Sequence, residues 1–233
     1  MENSIFFKLF PLWYSLQTDL FEIKRWSRYV ERNENLRVQS VLHHQYSVIS
    51  VVDVVLPVLK KYIPDLDELL VLRAYLIHDQ PEGFSKRKFD CLSTQKTQEK
   101  DLEEYLLFVK YYSHFSKDIY EIKEYAYLLQ YALKENDLFP QDARVVMNNI
   151  VKNHIIEAMV FEVLESWEYI FYAYESFIYQ GDDYILTQVL RRQMPSLQKY
   201  ALVIRGFREE IFTKEFEKWA QDFIDAHPHI PYD

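Results

Sequence analysis

The run VLHHQYSVISVVDVVLPVL, Val41 to Leu59, decides how this chain folds. It is apolar enough to be buried, and its β-branched residues suit a strand as well as a helix. Length arbitrates, because a strand is typically about 5–6 residues and this run is 19. Ser40 stands where an N-cap belongs. Pro57 bends or ends the helix. The next stretch, KKYIPDLDELLVLRAYLIHD, predicts a turn and a second helix running to about Asp79. Pro64 fits near its first turn, with Asp65, Asp67 and Glu68 complementing the N-terminal dipole. Pro81 and Gly83 mark its end.

Helical spacing continues along the rest of the chain. SKRKFDCLSTQKTQEK, Ser85 to Lys100, is polar and reads as a loop. Asp101 to Lys134 predicts one or two amphipathic helices, and ENDLFP then breaks the pattern. A single long helix is expected from about Gln141 to Gln180. Ile156, Val160, Val163, Trp167, Ile170 and Tyr174 form a stripe along it at spacings of three and four. Gly181 suits the position after its last turn. Two further helices are expected within Asp183 to Ala226, then a loose tail, HPHIPYD. No internal repeat or linker separates these segments. The expected fold is one all-α domain over residues 1–233, with the chemistry concentrated in 25–90.

Composition narrows the function. Hydrophobic residues make up 49% of the 233, so a sizeable core can form. Three glycines are too few for a doubly wound sheet or a glycine-rich phosphate loop, and neither common nucleotide-cradling motif occurs. A net charge of -9 disfavours duplex nucleic acid. A small anionic substrate stays open, because a metal or a local basic cluster outweighs the global charge at short range. Cys91 is the only cysteine, which excludes an internal disulfide and fits a reducing, cytoplasmic setting. The first twenty residues carry no basic leader and no small-residue cleavage site, so no signal peptide is expected. No window of about 18 residues is free of charge, so no membrane-spanning helix is expected.

His44 lies on the first buried helix, and His78 and Asp79 lie at the end of the second. A short turn between antiparallel helices can bring them together. Two imidazoles and a carboxylate suit a divalent first-row metal. Structural tetrahedral zinc sites lean on cysteine, so with a single one none is expected. The residues alone leave a second reading open, that of hydrogen-bonded core histidines. His43 adds to the ambiguity, since neighbouring residues point about 100° apart on a helix.

RWSRYVERNENLRVQSVLHHQYSV, Arg25 to Val48, followed by YLIHDQPEGF, Tyr75 to Phe84, resembles the HD-domain phosphohydrolases. The branch most similar is the one containing the bacterial 5′-deoxynucleotidases. The resemblance implies an HD-type helical bundle and hydrolysis of a nucleotide phosphate ester, above all a deoxynucleoside 5′-monophosphate. It implies a divalent cofactor (Co, Mn, Fe, Mg or Zn) on His44, His78, Asp79 and a later carboxylate. LESWEYIFYAYES puts Glu165 where the family carries an aspartate, with Glu162 and Glu168 as substitutes and Glu175 resembling a later family glutamate. By the same resemblance Glu82 acts in catalysis with Asp79, Arg25 pairs with the phosphate, and Trp26 packs on the sugar or base. His43 replaces a family glutamate, and Asp90 is the only counterpart to a family Gly-Asp. Two other classes stay open. One is a triphosphate hydrolase drawing on Lys86, Arg87 and Lys88; the other is an inactive HD fold that binds or regulates. The partners expected are a small nucleotide, no membrane and, left open, a second copy of the chain.

Overall fold

The computed structural model describes residues 5–26, 29, 32–84, 97–134 and 137–232. Lys86, Arg87, Lys88, Asp90 and Cys91 lie outside them. Three quarters of the structure is helical, with one two-stranded ladder, so the all-α expectation holds. The first elements are α1 (Ile5–Glu22), β1 (Lys24–Arg25), β2 (Gln39–Ser40) and α2 (Val41–Lys60). Then come α3 (Glu68–Ile77), α4 (Gln80–Phe84), α5 (Gln98–Tyr112), α6 (Lys117–Leu128) and a 3-10 turn at Leu129–Tyr131. The chain closes with α7 (Gln141–Asn153), α8 (Ile155–Gln180), α9 (Asp183–Ala201), α10 (Phe207–Glu210) and α11 (Lys214–Ala226).

Local chemistry explains most boundaries. Ser40 caps α2, its side chain accepting from the His43 amide. Asp67 caps α3 in the same way through the Leu70 amide. Gly181 ends α8 in the left-handed region, φ 68, where a side chain would be strained. Gly83 lets α4 lie against α1, since a Cβ there would stand 2.9 Å from Leu20 Cδ2.

Five expectations need correction. Pro57 does not end α2, which runs on to Lys60. Pro64 precedes the α3 cap rather than joining the first turn. Pro81 and Gly83 do not terminate α3. It stops at Ile77, and both residues lie inside the short α4, where Pro81 is second and lacks no required amide. The long helix is two, broken at His154 (φ -138, ψ 34). The tail is tied down: Arg191 donates to the Ile230 and His227 carbonyls, Gln188 donates to the Pro231 carbonyl, and Ile230 is buried.

One apolar cluster runs from Trp26 to Ile230 and draws on α2, α3, α5, α6, α7, α8 and α9. Helices α8 and α9 pack along each other, and α3 lies against α2, α6 and α8. Of the described helices, α2 alone is long and apolar enough to cross a membrane by length and composition. Its buried residues, His44, Val48, Val52, Leu56 and Leu59 among them, face into this core. The ladder pairs Lys24 with Ser40 and Arg25 with Gln39, so it fixes Arg25 beside the start of α2. Trp26 follows with φ 67, rare for a bulky residue. Its ring stacks on Tyr172 at 4.3 Å and 9°, a contact worth about 0.5–1.5 kcal/mol beyond its buried area.

Candidate metal centre

The first turn of α2 turns His44 inward and His43 outward. His43 is exposed, its Nδ1 3.2 Å from Ser40 Oγ and its ring edge-on to Phe21. His78 and Asp79 occupy the break between α3 and α4, where the chain leaves one helix and enters the next. His44, His78 and Asp79 are all buried, and one ligand atom from each lies within 4.8 Å of the others. The expectation that the three converge within about 5 Å is met.

Distances define the arrangement. Asp79 Oδ2 is 3.3 Å from His44 Nε2 and 3.2 Å from His78 Nε2. Glu165 Oε1, from α8, is 3.3 Å from His78 Nε2 and 3.9 Å from His44 Nε2. The far nitrogens are held from behind. His78 Nδ1 sits 2.9 Å from the Tyr75 carbonyl, which only accepts, so Nδ1 carries the proton. His44 Nδ1 lies 3.1 Å from Glu168 Oε1, close but outside hydrogen-bond geometry. With the proton of His78 on Nδ1, a neutral ring there would turn a lone pair on Nε2 into the cluster, and the carboxylate behind His44 favours the same tautomer. This is the orientation that metal-binding histidines take from an acceptor behind them.

The donor set fits a divalent cation on an independent observation. His44 Nε2, His78 Nε2, Asp79 Oδ2 and Glu165 Oε1 are all buried without a hydrogen-bond partner. Orphaned buried polar atoms are costly, about 1–3 kcal/mol each and more when charged. Four of them facing one another is the pattern a shared cation resolves. Charge agrees: Asp79 and Glu168 share one guanidinium, Arg25, at 3.5 Å from Asp79 Oδ2 and 3.9 Å from Glu168 Oε2, while Glu165 lies against the histidines. Burial works against charging His78, but the Asp79 and Glu165 carboxylates outweigh it and raise its pKa to about 10. Burial would also raise Asp79 and Glu165, yet His78 beside them holds both below their ordinary values. Glu168 is likewise held down against its burial, to about 2, chiefly by His44.

A cavity of about 300 Å³ opens onto the cluster, within the size range of small-molecule sites. Arg25, His78, Asp79, Glu82 and Glu165 line its floor; Leu129, Leu133, Phe161 and Tyr169 form apolar wall, and Gln130, Lys134, Gln193 and Ser196 add polar groups. Glu82 is 97% removed from solvent yet borders this cavity. Glu162 also lines it, but its carboxylate accepts from Tyr200. Glu175 pairs with Arg37 at the surface.

The structure brings Arg25, His44, His78, Asp79, Glu82 and Glu165 together. Trp26 is a correction: it does not border the cavity and is 1% exposed, packed among Tyr29, Tyr169 and Tyr172 as a core anchor. Its substrate contact is withdrawn on that ground. Glu168 and Gln39 were missed in their actual place, behind His44. No family model, curated protein or solved structure matches this chain.

Proposed function

We propose that this protein is a metal-dependent phosphohydrolase acting on a small phosphate monoester, with a deoxynucleoside 5′-monophosphate as the first substrate class to test. The observation that carries the reading is the set of four orphaned ligand atoms on His44, His78, Asp79 and Glu165 at the floor of an open cavity. The resemblance of the Arg25–Val48 and Tyr75–Phe84 segments to HD-domain phosphohydrolases supports it from sequence.

These four residues would hold a divalent ion, whose chemistry is to acidify a water and offset charge on a phosphoryl group. The protein supplies the rest. Arg25 reaches the floor with a planar guanidinium suited to two phosphate oxygens, and stands 3.5 Å from Asp79 Oδ2 and 3.9 Å from Glu168 Oε2. Glu82 lines the floor from the helix that follows Asp79, placed to take a proton from the attacking water or give one to the leaving oxygen. Phe161, Leu129 and Leu133 offer apolar surface to the body of the substrate and keep water from the floor.

Among the described residues the cavity lining carries four carboxylates, Asp79, Glu82, Glu162 and Glu165, and the cations Arg25 and Lys134. A divalent ion would offset two of those negative charges, so the number of phosphates is decided by assay. The test is phosphate release by the purified protein with Mn²⁺ or Co²⁺, compared across deoxynucleoside mono- and triphosphates. Release from monophosphates alone supports the proposal. Release chiefly from triphosphates moves the substrate class, and metal uptake with no hydrolysis of any nucleotide replaces the enzyme with a binding module.

A further inference from the structure

We propose that Glu168 is a positioning residue that couples the metal half of the site to its phosphate half; the inference rests on the function proposed above. The carboxylate is 4% exposed and borders none of the cavity over the metal floor. Its two oxygens face different partners. Oε1 accepts from Gln39 Nε2 at 2.9 Å and stands 3.1 Å from His44 Nδ1. Oε2 stands 3.9 Å from Arg25 Nη2. One rigid group thus touches the back of an imidazole whose Nε2 faces the cluster and the guanidinium that faces the phosphate position.

Geometry makes the coupling directional. A carboxylate 3.1 Å behind Nδ1 favours the tautomer that carries its proton there, and the bond it would form as the ring settles on a cation aims Nε2 and raises its basicity. A charge on the same carboxylate draws Arg25 to one side of the cavity floor. Gln39 locks the arrangement, because its side chain also accepts from Trp26 Nε1 at 3.1 Å. Its Oε1 is therefore committed as acceptor and its Nε2 as donor to Glu168. The ladder sets Gln39 opposite Arg25, so the residue that aims the carboxylate and the residue the carboxylate aims are backbone neighbours. Glu165, one turn earlier, faces the histidine Nε2 atoms and the cavity. The two carboxylates therefore do different work.

The experiment uses the full chain. Mn²⁺ binding is measured by electron paramagnetic resonance without substrate, and inorganic phosphate binding by calorimetry at saturating Mn²⁺. Glu168→Gln should weaken Mn²⁺ by about 10- to 100-fold, the usual cost of removing a partner behind a metal-bound histidine. It should also weaken phosphate severalfold with metal saturating. Glu168→Asp, which keeps the charge, should recover part of both. A residue that only supports the fold would lower the melting temperature and leave phosphate affinity at saturating metal unchanged. Gln39→Leu leaves the carboxylate in place and should shift both affinities in the same direction by less. If Glu168→Gln does not fold, that variant decides the matter. Wild type that takes up Mn²⁺ while Glu168→Gln matches it within twofold overturns this inference alone. Weakened Mn²⁺ with unchanged phosphate overturns the coupling. Wild type that takes up no Mn²⁺ overturns the metal centre and this inference together.

Discussion

Helix α8 carries two stripes of opposite character. One runs through Val160, Val163, Trp167 and Ile170, all buried in the apolar core. The other runs through Ala158, Phe161, Glu165, Glu168 and Tyr172, at spacings of three, four, three and four. Both are sheltered from solvent, but the second shelters carboxylates. Only a helix flanked on several sides, here by α9, α3 and α2, can hold two such stripes. A buried position is thus no guide to chemistry on this helix. What separates the stripes is whether the group opposite is a side chain of carbon or the nitrogen of a histidine.

The two stripes should fail differently. Asp79→Ala, which removes the group both Nε2 atoms share, should abolish phosphate release, a drop of at least about 10³-fold, with loss of bound metal. Activity assay and metal analysis of the same sample check this. Ile170→Ala, on the apolar stripe, should cost about 2–5 kcal/mol in denaturant unfolding while leaving the affinity for Mn²⁺ unchanged. If it changes metal affinity as much as stability, the stripes are not separable. Glu165→Gln, which removes a ligand and not a partner behind one, should weaken metal by more than about 100-fold. The same change at Glu162, bonded to Tyr200, should stay within about threefold. The reverse result would mean that the last ligand sits one turn earlier.

The smallest expected effect is in protons. Without metal, His78 keeps its proton up to about pH 10, so its contribution to stability is complete below its ordinary pKa of 6.5 and is lost as pH rises toward 10. Glu168, lowered from 4.5 to about 2, contributes fully above 4.5 and loses its contribution as pH falls toward 2. The metal-free protein should therefore be most stable between about pH 4.5 and 6.5. Metal needs the neutral imidazole, so uptake at pH 7.5 should release about one proton, read by calorimetry in buffers of different ionisation enthalpy. No release would mean that His78 is not a ligand.

How much of this was legible in the sequence depends on distance along the chain. Ser40 and Gly181 act on neighbours within five residues, and their caps were readable from residue type; Asp67, expected only to complement the dipole, is the α3 cap as well. The His44–His78–Asp79 convergence was readable because a short turn joins two helices of known pitch. Glu165 was harder: measured against the first stripe it looks misdirected, about 200° from both Val163 and Trp167. The second stripe was present in the spelling all along, but its glutamates hid it, since an apolar pattern is sought among apolar residues. Trp26 and His154 were not legible. The left-handed tryptophan stacks on Tyr172, far away in sequence, and the break at His154 comes with neither glycine nor proline to mark it.

The two-residue ladder has one more consequence. In extended backbone, successive side chains point to opposite sides, and here Lys24 is exposed while Arg25 is buried. The two cations stand next to each other in sequence and on opposite sides of the strand. A single-residue deletion just after β1, if the ladder stayed paired at Gln39 and Ser40, would exchange them. Lysine would then enter the interior, and a point-like ammonium would replace the flat fork that spans Asp79 and Glu168. Net charge, composition and helix content would hardly change. The outcome depends on parity, so the chain tolerates a change of residue at Lys24 more readily than a change in the count of residues beside it.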